Sequence, residues 1–269
     1  MGNLVVVGVD GSPASLAAVE EAAREAQRRR AELRVVHAFS RPARPVYAPL
    51  DPAPLERLVS EAAQRAKSVA PQTEITEAVV TGDASAVLEA ESRAADLMVL
   101  GPRGAGGFIG VRLGSTAASL AAHSRCPVMV VRDEPDPARP IVLGVDGSPV
   151  GEQAVDFAFS EAALRGAELV AVHVWMPDYA PAGSGVESAE RLLAQALAGR
   201  GQRYPEVTVR HDVVSGETRE MLLELSKTAQ LMVVGARGRG GFAGLVLGSV
   251  SQALLHHADC SVAVVRGKT

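Results

Sequence analysis

Aromatic residues are scarce in this chain of 269 residues, where Phe, Trp and Tyr together account for 3%. A protein that holds single-stranded nucleic acid by stacking its bases needs more aromatic side chains than that. An excess of positive charge is also lacking, because 27 Lys and Arg residues stand against 31 Asp and Glu residues, giving a net charge of -4. No segment gathers the basic run that a phosphate backbone requires. We therefore expect no nucleic acid among the main partners.

Long apolar runs are missing as well, and none approaches the roughly 20 residues that span a bilayer. The N-terminal segment 1–8, MGNLVVVG, has no basic region ahead of its apolar run, as a signal peptide would. Cysteine is limited to Cys126 and Cys260, which occupy equivalent positions of an internal repeat. This placement indicates two copies of a buried small side chain rather than a disulfide. We expect a cytoplasmic protein with no membrane partner.

The internal repeat sets the domain organisation. Residues 5–13, VVVGVDGSP, return as IVLGVDGSP at 141–149, an offset of 136, whereas Cys126 and Cys260 are separated by 134. The second copy is therefore shorter between positions 38 and 82, which indicates a loop there. We predict one domain at 1–134, a polar, proline-rich linker at 135–140, and a second domain at 141–269.

Strand and helix patterns alternate within each copy. Residues 3–9 form an apolar run typical of a parallel strand buried on both faces. Ser12-Pro13 predicts the cap and first residue of a helix that ends near Arg30. Further strands are predicted at 33–39, 74–81, 97–100 and 127–132, and further helices at 55–69, 83–94 and 114–124. The fold class is α/β, with two tandem flavodoxin/Rossmann-like domains, each a five-stranded parallel sheet with helices on both faces.

The loop after the fourth strand of each copy is the most informative feature. Gly101-Pro102-Arg103-Gly104 is followed after nine residues by Gly114-Ser115, and Gly235-Ala236-Arg237-Gly238 is followed after nine residues by Gly248-Ser249. Glycines let the backbone approach a phosphate and expose successive N–H groups. The helix that opens at each Gly-Ser pair favours negative charge at its N-terminus. The repeated spacing therefore predicts a triphosphate site, although a lone glycine-rich loop would fit a tight turn equally well.

Both loops resemble the G-x2-G-x9-G-[ST] sequence of the ATP-binding universal stress proteins. That family also has an Asp at the end of its first strand and a last strand of the type C-P-V-x-V-V. The resemblance covers nearly the whole chain, twice. It implies the universal stress protein fold, ATP as the cofactor, with or without Mg, and a role in the response to stress or in dormancy.

The same resemblance implies the site residues. Asp10 and Asp146 would approach the adenine and ribose, and Ala38 and Val174 would lie beside the base. The residues that would border the ribose or cradle the phosphates are Gly101, Gly104, Gly114, Ser115, Thr116, Gly235, Gly238, Gly248, Ser249 and Val250.

The prediction also includes Gly8 and Gly144, near the end of each first strand, and Arg103 and Arg237, which could clamp phosphates or simply be solvated. Pro102 removes a backbone N–H from the first loop, whereas Ala236 keeps its N–H in the second. Because Ala38 also offers less contact than Val174, the second site is closer to the family pattern.

Some candidate residues have other interpretations. Asp10 and Asp146 could cap the first helix of each copy, a role that is compatible with ligand contact. His37 and His173 end buried strands and are interpreted as hydrogen-bonded core residues. The cluster of His256-His257 and Asp259 does not predict a metal site, because adjacent helical residues point to different faces and no further Cys or His lies at ligand spacing.

Catalysis is not indicated. The chain lacks a G-x-S-x-G elbow, and no Lys lies in either loop to stabilise a γ-phosphate. We expect a nucleotide-gated regulator rather than an enzyme, in which ATP orders the loops and alters a surface read by a regulatory protein partner. A slow ATP-hydrolysing or nucleotide-transferring enzyme and a nucleotide-free protein-interaction module stay open, as do AMP and cyclic nucleotides as ligands. A homodimer of the whole chain is also expected.

Overall fold

The computed structural model of this chain describes residues 3–40, 51–106, 112–132, 136–176, 185–238 and 246–267. It separates into two compact units, Met1–Arg132 and Asp133–Thr269, which we call the first and second domains. No helix within the described ranges combines the length and apolar character that crossing a membrane requires.

The first domain alternates strands and helices along its length. Its elements are β1 (Leu4–Gly8), α1 (Pro13–Arg29), β2 (Glu32–Phe39), α2 (Ala53–Val69), β3 (Ile75–Thr81), α3 (Ala84–Glu91), β4 (Leu97–Leu100), α4 (Ser115–His123) and β5 (Val128–Val130). Each predicted strand and helix of this copy is present, with ends that differ by one to a few residues.

The second domain repeats the series with additional short helices. Its elements are β6 (Ile141–Gly144), a 3-10 helix (Pro149–Gly151), α5 (Glu152–Arg165), β7 (Leu169–Trp175), α6 (Val186–Leu197), α7 (Arg200–Arg203), β8 (Val209–Ser215), α8 (Thr218–Ser226), β9 (Leu231–Gly235), α9 (Ser249–His257) and β10 (Ser261–Val265).

Neighbouring strands run parallel within each domain. Their order is β3-β2-β1-β4-β5 in the first domain and β8-β7-β6-β9-β10 in the second. In the first domain α1 and α2 pack together on one face of the sheet, and α3 and α4 pack together on the other. The predicted α/β fold is confirmed. The strand order reverses between β1 and β4, and between β6 and β9, which is where such sheets bind ligands.

A serine caps the first helix of each domain. The Ser12 Oγ accepts a hydrogen bond of 3.2 Å from the N–H three residues later, and the Ser148 Oγ does the same at 3.2 Å. Gly11 and Gly147 precede these caps with φ of +80° and +69°, a left-handed conformation that favours glycine. The chain can therefore turn sharply from the end of the first strand into its helix.

Both cysteines are buried and are not joined in a disulfide, as expected. Burial raises the pKa of the Cys126 thiol to about 11, which keeps it in the unreactive thiol form.

The predicted linker at 135–140 lies partly outside the described residues. Its remainder is hydrogen-bonded within the second domain, because the Gln230 side-chain amide donates to the Arg139 carbonyl at 2.6 Å and the Gln230 N–H donates to the Pro140 carbonyl at 3.0 Å. Residues 136–140 are thus fixed to that domain rather than free.

Candidate functional site

Asp10 connects the end of β1 to the glycine-rich loop that follows β4. Its Oδ1 accepts hydrogen bonds from the Ser12 N–H at 3.0 Å and from the Ser12 hydroxyl at 2.7 Å. Its Oδ2 accepts from the backbone N–H of Ala105 at 2.6 Å. The carboxylate therefore bridges the position where the strand order reverses. Because Ser12 is the N-cap of α1, the interpretation of Asp10 as a helix cap is wrong.

Hydrogen bonding keeps the Asp10 carboxyl ionised. Partial burial by itself would raise the pKa, but the hydroxyl and N–H of Ser12, the Ala105 N–H and the Ser15 hydroxyl together hold the pKa of Asp10 below its ordinary value. The first domain therefore has a negatively charged carboxylate, that of Asp10, at this edge of its sheet.

The second domain repeats the serine contacts of this arrangement around Asp146. Its Oδ1 accepts from the Ser148 N–H at 3.0 Å and from the Ser148 hydroxyl at 2.8 Å. Ser148 is the N-cap of the 3-10 helix, so the capping interpretation of Asp146 is wrong as well.

Gly104 and Gly238 allow their loops to approach these carboxylates. A Cβ added at Gly104 would overlap the Asp10 Oδ2, and one at Gly238 would lie 2.9 Å from the Asp146 Oδ2. A side chain at either position would therefore force the loop away from the aspartate. The nine-residue segments that follow lie partly outside the described residues, at 107–111 and 239–245.

The loops close onto the N-termini of α4 and α9. The Gly114 N–H donates to the Pro102 carbonyl at 2.7 Å, and the Gly248 N–H donates to the Ala236 carbonyl at 2.8 Å. The predicted phosphate-cradling role of Gly114 and Gly248 therefore cannot rest on their N–H groups. It can rest on their missing side chains, because a Cβ at Gly114 would meet no atom of the described residues closer than 3.6 Å.

The N–H groups of the first helical turn are the available donors. Neither α4 nor α9 has a side-chain cap. In the part of the chain that the structure describes, these N–H groups have no acceptor at Ser115, Thr116 and Ala117 in α4, or at Ser249, Val250 and Ser251 in α9. With the partial positive charge of the helix N-terminus, they form a surface suited to an anion.

Several predicted glycines have a packing role that the sequence did not show. A Cβ at Gly101 would lie 2.7 Å from the Ala14 carbonyl oxygen, and one at Gly8 would lie 2.8 Å from the side chains of Leu88 and Leu100. A Cβ at Gly144 would lie 3.1 Å from a methyl of Val234. Packing alone explains these glycines, and their contact with a ligand stays a prediction.

Arg103 and Arg237 are exposed, and neither makes an ion pair within the described ranges. Both guanidinium groups are thus available to an approaching anion.

The residues predicted to lie beside the base are half-buried near the ends of the second strands. Ala38 pairs with Val80 of β3, and Val174 pairs with Val214 of β8. Ala38 lies on β2 and Val174 on β7, the strands next to β1 and β6, where the strand order reverses.

The histidines before them are hydrogen-bonded, as predicted. The ring nitrogen Nδ1 of His37 lies 2.7 Å from the Val9 carbonyl oxygen, and that of His173 lies 2.7 Å from the Val145 carbonyl oxygen. Both residues are half-buried, so the structure bears out the predicted hydrogen bonds but not full burial in the core.

Sequence reasoning missed two participants. The Ala105 N–H is a backbone donor, and no residue type signals its position. The Ser251 hydroxyl donates to the Ala236 carbonyl at 3.1 Å and to the Gly248 carbonyl at 2.9 Å. Comparison of the two copies could have found Ser251, because Ala117 occupies its place in the first domain.

The described residues contain no cluster of His, Cys, Asp and Glu arranged to hold a metal ion.

Comparison with known proteins gives the family of this chain. The model of the universal stress protein family matches residues 1–132 and again 137–266. A universal stress protein of Mycobacterium tuberculosis is 39% identical over 97% of this chain and 94% of its own length. One from Mycolicibacterium smegmatis is 40% identical over 97% of this chain and 96% of its own length.

Solved structures agree on the fold. The crystal structure of a universal stress protein from Archaeoglobus fulgidus superposes with a TM-score of 0.74, at 20% identity, and covers 99% of this chain and 97% of that one. With two matches to the family model and relatives of such identity along nearly its whole length, this chain belongs to the universal stress protein family.

Proposed function

We propose that each domain binds ATP at the carboxyl edge of its sheet and that the protein acts as a nucleotide-gated regulator in stress or dormancy, not as an enzyme. The observation that carries this proposal is the row of N–H groups at Ser115–Ala117 and Ser249–Ser251, which have no acceptor among the described residues and follow the side-chain-free positions Gly114 and Gly248. Family membership supports it.

The triphosphate would lie at the N-termini of α4 and α9. The N–H groups there would donate to phosphate oxygens, and the helix dipole would add about 0.3–1 kcal/mol for each nearby negative charge. Gly114 and Gly248 would contribute open space, because no protein atom lies within 3.4 Å of a Cβ at either position. The exposed Arg103 and Arg237 would cover the outer phosphates.

The nucleoside would lie over the switch point. Asp10 and Asp146 carry carboxylate oxygens at this edge, which suit the hydroxyl groups of a ribose or the amino group of adenine. Ala38 and Val174 offer apolar surface to the base from the adjacent strand. With several phosphates close to an aspartate, Mg is a fitting companion because it prefers carboxylate and phosphate oxygens.

Gating would act through the contact between Asp10 and Ala105. The Ala105 N–H holds the loop to the carboxylate at 2.6 Å. A ribose or base that donates to the same carboxylate competes with this bond, so the loop has different partners with and without nucleotide. A regulatory protein partner would read the change in loop surface. The absence of Lys from both loops favours binding over efficient phosphoryl transfer.

The test is calorimetric titration of nucleotide-stripped protein with ATP, AMP and cAMP, each with and without Mg. Saturable heat with ATP supports the proposal, and preference for AMP or cAMP would reassign the ligand. Mass spectrometry of small molecules released on denaturation of freshly purified protein gives an independent result. ATP turnover proportional to protein concentration and abolished by Asp146→Asn would establish an enzyme instead.

A cytoplasmic homodimer is part of the proposal. Its mass in light scattering would be twice 27.9 kDa. A single-chain mass at all concentrations would remove the homodimer and leave nucleotide binding untouched.

A further inference from the structure

The two proposed nucleotide sites differ in the hydrogen bonds that fix the start of each glycine-rich loop to the neighbouring helix and strand. In the second domain the Ala236 carbonyl accepts from the Gly248 N–H at 2.8 Å and from the Ser251 hydroxyl at 3.1 Å. The Ala236 N–H donates to the Val265 carbonyl at 2.7 Å. We call these bonds of Ala236 the loop clasp. They tie the start of the loop to both α9 and β10.

The first domain can form only part of this clasp. The Pro102 carbonyl accepts from the Gly114 N–H at 2.7 Å. Proline has no N–H to donate to the neighbouring strand, and Ala117 has no hydroxyl. The shorter ladder reflects this loss, because β4 ends at Leu100 and β5 at Val130, whereas β9 and β10 pair one residue further.

The other wall of each site differs too. A Cβ at Gly101 would lie 2.7 Å from the Ala14 carbonyl oxygen, whereas the nearest atom of the first helical turn to a Cβ at Gly235 is the Gly151 Cα at 3.9 Å. The start of α1 therefore crowds the end of β4, whereas the end of β9 is crowded by its own loop, since a Cβ at Gly235 would lie 3.1 Å from the Arg237 carbonyl oxygen.

From these differences we infer that Ser251, through the Ala236 carbonyl, is a positioning residue that makes the second site bind ATP more tightly than the first. The inference rests on the proposed function. A loop already fixed beside the helix N-terminus loses less conformational freedom when a phosphate binds. The clasp touches the phosphate side of the site only, so it acts on nucleotides and not on the nucleoside.

The test is isothermal titration calorimetry on the nucleotide-stripped full chain, with ATP and adenosine as probes. Gly114→Ala blocks the first site and isolates the second, and Gly248→Ala does the reverse. In the Gly114→Ala background, Ser251→Ala is expected to weaken ATP binding about three- to tenfold, the effect of about one hydrogen bond, and to leave adenosine binding unchanged.

The matched variant is Ala117→Ser in the Gly248→Ala background. It supplies the missing hydroxyl to the first site and should tighten ATP binding by a similar factor, a gain that general destabilisation cannot produce. If Ser251→Ala does not fold, this variant decides alone, and absence of a gain overturns the inference.

The remaining outcomes separate the two proposals. Indistinguishable ATP affinities of the two sites, or equal loss of ATP and adenosine binding in Ser251→Ala, overturn the positioning role while ATP binding stands. No heat from ATP in the unsubstituted chain removes the proposed function itself.

Discussion

Replacement of Gly248 by alanine separates ligand binding from folding. Its backbone has φ of -76° and ψ of 157°, an extended conformation open to any residue. The added Cβ would lie 3.5 Å from the Ala236 carbonyl oxygen, the Arg237 Cα and the Ser251 Oγ, which is ordinary contact. The protein alone should accept the methyl group, whereas a phosphate between loop and helix should not.

The size of the effect follows from linkage. A ligand at about 100 times its dissociation constant stabilises the folded state by roughly 2.7 kcal/mol, which in a chain of this length raises the melting temperature by about 5–10 °C. Gly248→Ala should remove most of the ATP-dependent rise. Gly114→Ala should remove less, because the first site lacks the full loop clasp and contributes less binding.

The assay is thermal melting of nucleotide-stripped protein with and without ATP. Gly201→Ala is the matched control, because Gly201 lies in α7, outside both loops, and a Cβ there would meet no atom of the described residues within 4 Å. Equal losses from Gly114→Ala and Gly248→Ala would refute the asymmetry. Failure of ATP to raise the melting temperature of the unsubstituted chain would refute ATP binding, and a large fall in the melting temperature of ligand-free Gly248→Ala would refute the steric reasoning.

Three further predictions concern the Asp10 bridge and the buried thiol. Asp10→Asn should lower the free energy of unfolding by about 1–3 kcal/mol, since one amide oxygen cannot serve both Ser12 and Ala105, and urea unfolding that matches the parent chain would contradict this. Folding lowers the pKa of Asp10, so its ionic stabilisation is present above its unfolded pKa of about 3.9 and is lost as pH falls through the lower folded pKa. Unfolding free energies below pH 4 should thus depend less on pH in Asp10→Asn than in the parent, and parallel acid curves would count against the bridge. Cys126, with a pKa of about 11, should react with a thiol reagent at about pH 8 only after denaturant is added. Rapid labelling of Cys126 in the folded protein, located by peptide mapping, would disprove its burial.

The sequence predicts the elements well where local signals and tertiary packing agree. Apolar runs located β1 and β4 because both strands are buried on both faces, and Ser12-Pro13 located the start of α1. The equivalent Ser148-Pro149 opens a 3-10 helix instead. Gly151 stands there where the first domain has a serine, and glycine is a weak helix former.

The glycine-rich loops were also predictable, but the reasons for individual glycines were not. Gly8 was included among the predicted site residues near the end of the first strand, whereas the structure gives it a packing role against α3 and β4. Gly104 is explained by the close approach of a carboxylate 94 positions earlier in the chain, at Asp10. Neither contact could be foreseen, since each joins residues that are distant in sequence.

The two copies keep the same aspartate and Gly-Ser pair at the proposed nucleotide site, and they differ beside the base, at Ala38 and Val174, and at positions that hold the loop. Asp10 and Asp146 bind the serine two residues later in the same way, and both Gly-Ser pairs leave the following N–H groups available. Pro102 and Ala236, by contrast, differ in the bonds that fix the loop to the last strand. Residues that contact a ligand cannot change without altering its binding. Residues that fix the loop to the rest of the domain can differ, because the N–H donors to the phosphate stay the same. The two proposals together predict that the domains bind the same nucleotide with different affinities, so that ATP binding to the full chain extends over a wider range of concentrations than a single site gives.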